Sequence, residues 1–179
     1  LKRLTYIPLI ITLLIGLSSV ASRSNQITDT RSVVKAMYIY TFATLVEWPA
    51  ERRTGDFIIG VYGEKTAVYD ELIKKYAGKS IGSQKIVVKN FRNKAEVKSC
   101  HILYVTEERT NELTELSASL STENTLLVGE RSGALSKGAI INFIIEGNQQ
   151  KYEINKTNAR NHKLVIADKL SDLAASVTR

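Results

Sequence analysis

Short runs rich in Val, Ile and Leu alternate with segments of helical period through the middle of this chain, and no other feature limits its fold as strongly. Residues 57–62 (Phe-Ile-Ile-Gly-Val-Tyr) form a β-rich run closed by Gly63. Residues 65–76 then place Val68, Leu72 and Tyr76 on one helical face, with Gly78 as a stop signal. Further strands are expected at 85–91, 101–105 and 125–128, with a helix at 111–120 between the last two. Strand, helix, strand in repetition predicts parallel pairing in one sheet with helices packed on it.

The two ends depart from that rhythm. Asp29 or Thr30 can cap a helix running to about Val46, and Pro49 biases Trp48 out of the helical region and ends it. Residues 139–145 read as a strand, Gly147-Asn148 as a turn and 149–154 as a second strand, so this end of the sheet should be an antiparallel hairpin. One or two helical turns are expected at 157–162. A short apolar run follows at 164–166, then a closing helix from Asp168 or Ser171 through Val177. With 179 residues, 44% of them hydrophobic, and no linker, the reading is one α/β domain: a mixed, mostly parallel sheet flanked by helices, with a C-terminal antiparallel hairpin.

The first thirty residues follow a different logic. Lys2 and Arg3 precede an apolar run at 7–17, and Ser19 and Ala21 supply the small residues that a leader peptidase requires. The run is too short for a membrane span of about 20 residues. The expectation is a signal peptide over 1–21 cut after Ala21, a short segment at 22–32, and the folded domain at 33–179 of an exported, periplasmic protein. Loss of Lys2 and Arg3 takes the formal charge from +7 to +5. No membrane span is expected after that cut, and no Cys lies near it to carry a lipid anchor.

Residues that could do chemistry are sparse. Nucleophile-elbow, P-loop and dinucleotide motifs are absent. Gly129-Glu130-Arg131-Ser132-Gly133, with Gly138 beyond, lacks the Lys-Ser/Thr of a phosphate loop and leads towards a strand. It reads as a turn-rich connector, with anion binding by its backbone as the alternative. The two histidines, His101 and His162, are too far apart in sequence to announce a metal site. His101 reads as a satisfied core or interface residue and His162 as solvated. Cys100 is the only cysteine, heads an apolar run, and reads as a buried small hydrophobe, with a redox or intermolecular role as the alternative. Cys100 and His101, adjacent on a strand, should point to opposite faces. Glu47, Glu51, Glu107, Glu108 and Glu130 sit at element ends or in loops, where spacing selects no acid–base pair. Lys151, Lys156, Arg160 and Lys163 make a solvated basic face without the aromatic interleaving of a nucleic-acid groove. No catalytic residue, metal, cofactor or nucleic acid is expected.

The segments Lys35-Ala36-Met37-Tyr38-Ile39-Tyr40-Thr41-Phe42 and Val46-Glu47-Trp48-Pro49 resemble the opening motif of the YfiR-like family of small periplasmic proteins. Phe57 to Gly63, Cys100 to Tyr104, Gly138 to Phe143, Tyr152 to Asn155 and the stretch from Asn158 to Leu170 resemble its later blocks in the same order, so the likeness spans about 33–177. Three departures stand out. The family's disulfide-forming cysteine pairs are reduced to Cys100, Thr41 replaces an asparagine, and Lys137-Gly138 replaces a Gly-Gly pair.

The resemblance implies a non-enzymatic regulator. It would bind and restrain the periplasmic sensor domain of an inner-membrane signalling protein, such as a diguanylate cyclase, and so act in cyclic di-GMP signalling. Family members often dimerise, so the resemblance also allows a homodimer. Tyr38, Phe42 and Trp48 are the candidate partner contacts, although aromatics of this kind are more often core. Asn142, within an apolar strand, should satisfy a buried backbone group. The alternative function is a small-molecule or surface-ligand module whose mouth is the loop from Gly129 through Arg131 and Gly133 to Gly138.

Overall fold

The computed structural model describes residues 30–179, so the expected leader, its cut after Ala21 and the Asp29 cap lie outside the described residues. Helix α1 (Thr30–Leu45) leads into strand β1 (Val46–Glu47), a 3-10 turn at Ala50–Arg52 and β2 (Phe57–Tyr62). Then come α2 (Ala67–Tyr76), β3 (Ser80–Ile81), β4 (Gln84–Phe91), β5 (Ile102–Val105), α3 (Leu113–Leu120) and β6 (Leu126–Gly129). The chain closes with β7 (Ile141–Glu146), β8 (Gln149–Asn155), α4 (Lys156–Asn161), β9 (Val165–Ile166), α5 (Asp168–Asp172) and β10 (Ser176–Thr178).

Eight of these strands form one sheet in the order β10-β8-β7-β6-β5-β2-β4-β3. The five central strands β4, β2, β5, β6 and β7 are parallel, while β8 runs antiparallel to β7 and β3 antiparallel to β4. The expected α/β class and hairpin are therefore present. The hairpin closes through a two-residue turn with Glu146 opposite Gln149. Gly147 has φ +59° there, the left-handed region that glycine adopts without steric cost. The small pair β1-β9 joins the end of α1 to the later chain, with Val46 opposite Ile166.

Local chemistry explains the helices. The Thr66 hydroxyl accepts the Tyr69 N–H at 3.3 Å to cap α2, and the Asn155 side chain accepts the Asn158 N–H at 3.0 Å to cap α4. Helix α1 buries Ala36, Ile39, Phe42 and Ala43, whereas α3 buries Leu113, Leu116 and Leu120. The sheet separates two cores. One lies under α1 and α2 with Ile59, Tyr104, Phe143 and Tyr152; the other lies under α3 with Tyr62, Cys100, Leu103 and Leu127.

Two expectations are corrected here. The closing helix ends at Asp172, and 176–178 form β10, parallel to β8 with Val177 opposite Ile154. Ala175 N–H donates to Tyr152 O at 2.9 Å, so the open edge of β8 captures the last turn of chain as a strand. His162 is buried rather than solvated, at 1% exposure. Its Nε2 lies 3.1 Å from Ser117 Oγ, and its carbonyl accepts from Asn124 Nδ2 at 3.2 Å, so residues some forty positions earlier cover it.

Candidate functional site

In open α/β sheets ligands sit outside the carboxyl ends of the strands, where the strand order reverses. That point is the β2–β5 boundary here, since β4 lies on one side of β2 and β5 on the other. The chain's own side chains fill it. Thr106 Oγ1 donates to Tyr62 O at 3.0 Å, and Tyr62 OH donates to Glu112 at 2.6 Å. The Arg109 guanidinium lies 5.3 Å from the Tyr62 ring centre and pairs with Glu112 at 3.1 Å. Burial, with the Glu112 hydrogen bond behind it, pushes the Tyr62 phenol up to about 12, and the same bond holds Glu112 below its ordinary range. Gly63 has φ +136°, and a Cβ there would fall 2.0 Å from Thr106 Oγ1. The crevice is packed shut.

One strand further along, Glu130 follows the end of β6 and lines a cleft of about 540 Å³ with Arg31, Lys35, Glu107, Ser132 and Phe143 among others. Lys35 Nζ and Tyr104 OH both donate to Glu130 Oε2, and Glu107 N–H donates to Oε1 at 2.9 Å. This carboxylate therefore ties α1 to the ends of β5 and β6. Sequence reasoning passed over the pairing, because Lys35 and Glu130 are 95 residues apart.

The loop candidates divide by role. A Cβ on Gly129 would lie 2.7 Å from Ala134 Cβ, and one on Gly138 (φ +103°) would lie 2.5 Å from Ser117 Cβ, so both serve packing. Gly133 (φ +82°) makes the turn, and Arg131 is exposed. Asn142 Nδ2 donates to Glu153 at 2.9 Å rather than to a backbone group, which corrects that expectation.

The three aromatic candidates are not brought together on a surface. Phe42 is fully buried, its ring 5.9 Å from Phe143 and 5.1 Å from Tyr152. Trp48 is 5% exposed and stands edge-on to Phe57 at 5.1 Å. Both positions fall where α1 and its exit meet the sheet, so in the folded chain they are core. Tyr38 is half-buried, and its hydroxyl reaches Gln150 O at 3.4 Å.

The opposite pole carries a second cluster of buried polar groups. His101 Nε2–H donates to Arg52 O at 2.8 Å, Gln84 Nε2 donates to the same carbonyl at 3.0 Å, and Arg52 Nη2 donates to Cys100 O at 2.8 Å. These bonds clamp the 49–56 loop against the strand ends. Burial lowers the His101 pKa and, separately, that of His162. Cys100 is fully buried in the folded chain, and burial pushes its thiol up to about 12. It packs into the α3-side core while His101 stacks on Phe57 at 4.4 Å on the other face, as strand alternation requires. Among the described residues no group of three His, Cys, Asp or Glu is placed to hold a metal, and no helix is long and apolar enough to cross a membrane.

A mostly parallel central sheet flanked by helices defines an α/β module. The chain matches the DUF4154, YfiR/HmsC-like family over residues 32–175 and belongs to it. Among solved structures it is similar to a conserved domain protein from Vibrio cholerae O1 biovar El Tor. The TM-score is 0.54 at 16% identity, over 80% of this chain and 60% of that one, which supports the fold alone. An ABC domain in complex with L-Trp from Streptococcus pneumoniae aligns with TM-score 0.49 at 10% identity, over 68% of this chain and 55% of that one. The chain thus spans less than two-thirds of either protein. No curated protein matches it.

Proposed function

We propose that this protein is a periplasmic, non-enzymatic regulator that binds and restrains the sensor domain of an inner-membrane signalling protein, a diguanylate cyclase being the leading case. Family membership over 32–175 carries the reading, since YfiR-like proteins are periplasmic regulators. The packed β2–β5 crevice favours binding over catalysis. The contact surface we assign is the outer flank of α1. No charged residue occurs between Lys35 and Glu47, and Met37 on that flank is 48% exposed. Ile73 on the neighbouring α2 is 41% exposed, and Tyr40 and Tyr76, one turn further along each helix, stack at 4.5 Å. A surface helix ordinarily turns a charged face to water. The uncharged stretch of α1 beyond Lys35, with the Lys79 ammonium over the Tyr40 and Tyr76 rings beside it, suits a protein partner with an apolar ridge. Deleting the gene should raise cyclic di-GMP, and a Met37→Glu copy should fail to restore it where the unaltered gene succeeds. Unchanged cyclic di-GMP in the deletion strain would sink the cyclase reading.

The cleft beside Glu130 favours a second reading, a small-ligand module, because Glu130 and Ser132 of the 129–138 loop line it. Stabilisation by a small molecule without any protein partner, lost on Ser132→Trp, distinguishes it.

A further inference from the structure

Strand β4 is longer than the strand that covers it. β3 pairs only with its first two residues, Ser80 opposite Lys85 and Ile81 opposite Gln84, and no other strand lies outside β4 among the described residues. Ile86 still bonds outward, its N–H donating to Lys79 O at 2.7 Å and its carbonyl accepting from Gly78 N–H at 2.9 Å. Phe91 bonds inward, its carbonyl accepting from Gly63 N–H at 3.0 Å beside the end of β2. In a parallel pair the bonding direction alternates along the strand. The N–H and C=O groups of Val88 and Asn90 therefore face the open side, a ready template for another strand.

This edge is also basic. From Leu72 to Ala95 the chain has seven Lys and Arg residues and no Asp or Glu. Lys74 and Lys75 pair with Glu71, and Lys94 pairs with Glu115. Lys85 and Lys89 are exposed and enter no salt bridge among the described residues. They stand four residues apart on β4, so both project from one face of it, with the half-buried Val87 between them. Lysines on an edge discourage pairing between two copies of the same strand, because like charges would meet across it. The same two ammonium groups attract a strand that carries carboxylates.

We propose that the outer edge of β4 over residues 87–91 takes up an extended acidic segment of a partner protein as a further strand. Val88 and Asn90 supply the main-chain hydrogen bonds, which give affinity, and Lys85 and Lys89 meet carboxylates at alternate positions of the segment, which give specificity. A second copy of this chain is not the occupant, since its own β4 would set lysine against lysine. The edge is separate from the α1 flank assigned above and stands whether or not that assignment does.

The test uses a fluorescent heptapeptide, Thr-Glu-Val-Glu-Val-Glu-Thr, and the same peptide with Gln for every Glu, each titrated with the purified protein while anisotropy is followed. Saturable binding of the acidic peptide is expected, with the neutral one weaker by about tenfold or more. The double variant Lys85→Glu, Lys89→Glu alters two exposed side chains; it should keep the melting temperature and weaken the acidic peptide by a similar factor. Amide hydrogen exchange then locates the contact. The bound peptide should slow exchange at Val88 and Asn90, whose N–H groups face outward, and change Val87 and Lys89, already bonded to β2, much less. No saturable binding up to about 1 mM peptide would overturn the proposal, as would equal affinity for the neutral peptide. Binding that leaves exchange at Val88 and Asn90 unchanged would overturn it too, since the peptide would then lie on a basic surface without joining the sheet.

Discussion

The Nδ1 atom of His101 accepts the backbone N–H of Ile58 at 3.0 Å, which fixes the imidazole as the neutral Nε2–H tautomer. A proton on Nδ1 would set two donors against each other inside the core. Burial lowers the pKa of both His101 and His162 from 6.5. The unfolded chain therefore binds more protons than the folded one below about pH 6.5, and stability falls as the pH drops through that value. Each histidine contributes at most about 1.4 kcal/mol per pH unit. Urea midpoints should decline between pH 7.5 and 5.5, above the window where Glu112, held low by its Tyr62 bond, protonates. Equal midpoints at the two values would contradict the buried neutral rings.

Glu130 is the acceptor that joins α1 to the sheet. Glu130→Gln leaves the Lys35 ammonium, 19% exposed, without its counter-charge and should cost about 1–3 kcal/mol in urea unfolding. Combining it with Lys35→Met should recover part of that loss. A double variant as unstable as the sum of the two singles would show that the pair is not coupled.

Gly63→Ala should destabilise by about 2 kcal/mol or more, because its φ is +136° and the new methyl would collide with Thr106 Oγ1. Gly55 (φ +71°) has nothing within 4 Å of its Cβ position, so Gly55→Ala bears only the backbone strain and should cost less. Similar losses for the two variants would mean that the β2–β5 crevice is not closed as described.

Cys100 should react with a thiol reagent only as fast as the protein unfolds, and Cys100→Ala should cost on the order of 1 kcal/mol while leaving partner binding intact. Rapid labelling of the native protein, or a dimer on electrophoresis that dithiothreitol dissolves, would contradict its burial.

The central strands and α2 were legible because each depends on local chemistry. Alternating composition, the Thr66 cap and the glycine stops lie within a few residues of what they control. β10 was not legible, since Ser176-Val177-Thr178 becomes a strand only because the edge of β8 is open beside it. His162 was misread for the same reason, as Ser117 and Asn124 cover it from distant parts of the chain. Phe42 and Trp48 carry the family likeness but face the core, while Met37, in the same apolar run, is exposed, because near-helical spacing alone does not say which apolar position of α1 meets the sheet. The Lys35–Glu130 pair depends on tertiary geometry that spacing does not encode.

The account rests on restraint of a membrane enzyme by direct contact, and turnover of that enzyme measures it most directly. A diguanylate cyclase with a periplasmic sensor domain, from the same genome and reconstituted in membranes, is assayed for cyclic di-GMP synthesis against increasing amounts of the purified protein at its sensor side. Synthesis should fall saturably, and Met37→Glu should shift the curve to higher concentration by about tenfold, the scale of one buried interface anchor. Synthesis unaffected up to saturating protein, with no complex formed between the two, would contradict the account.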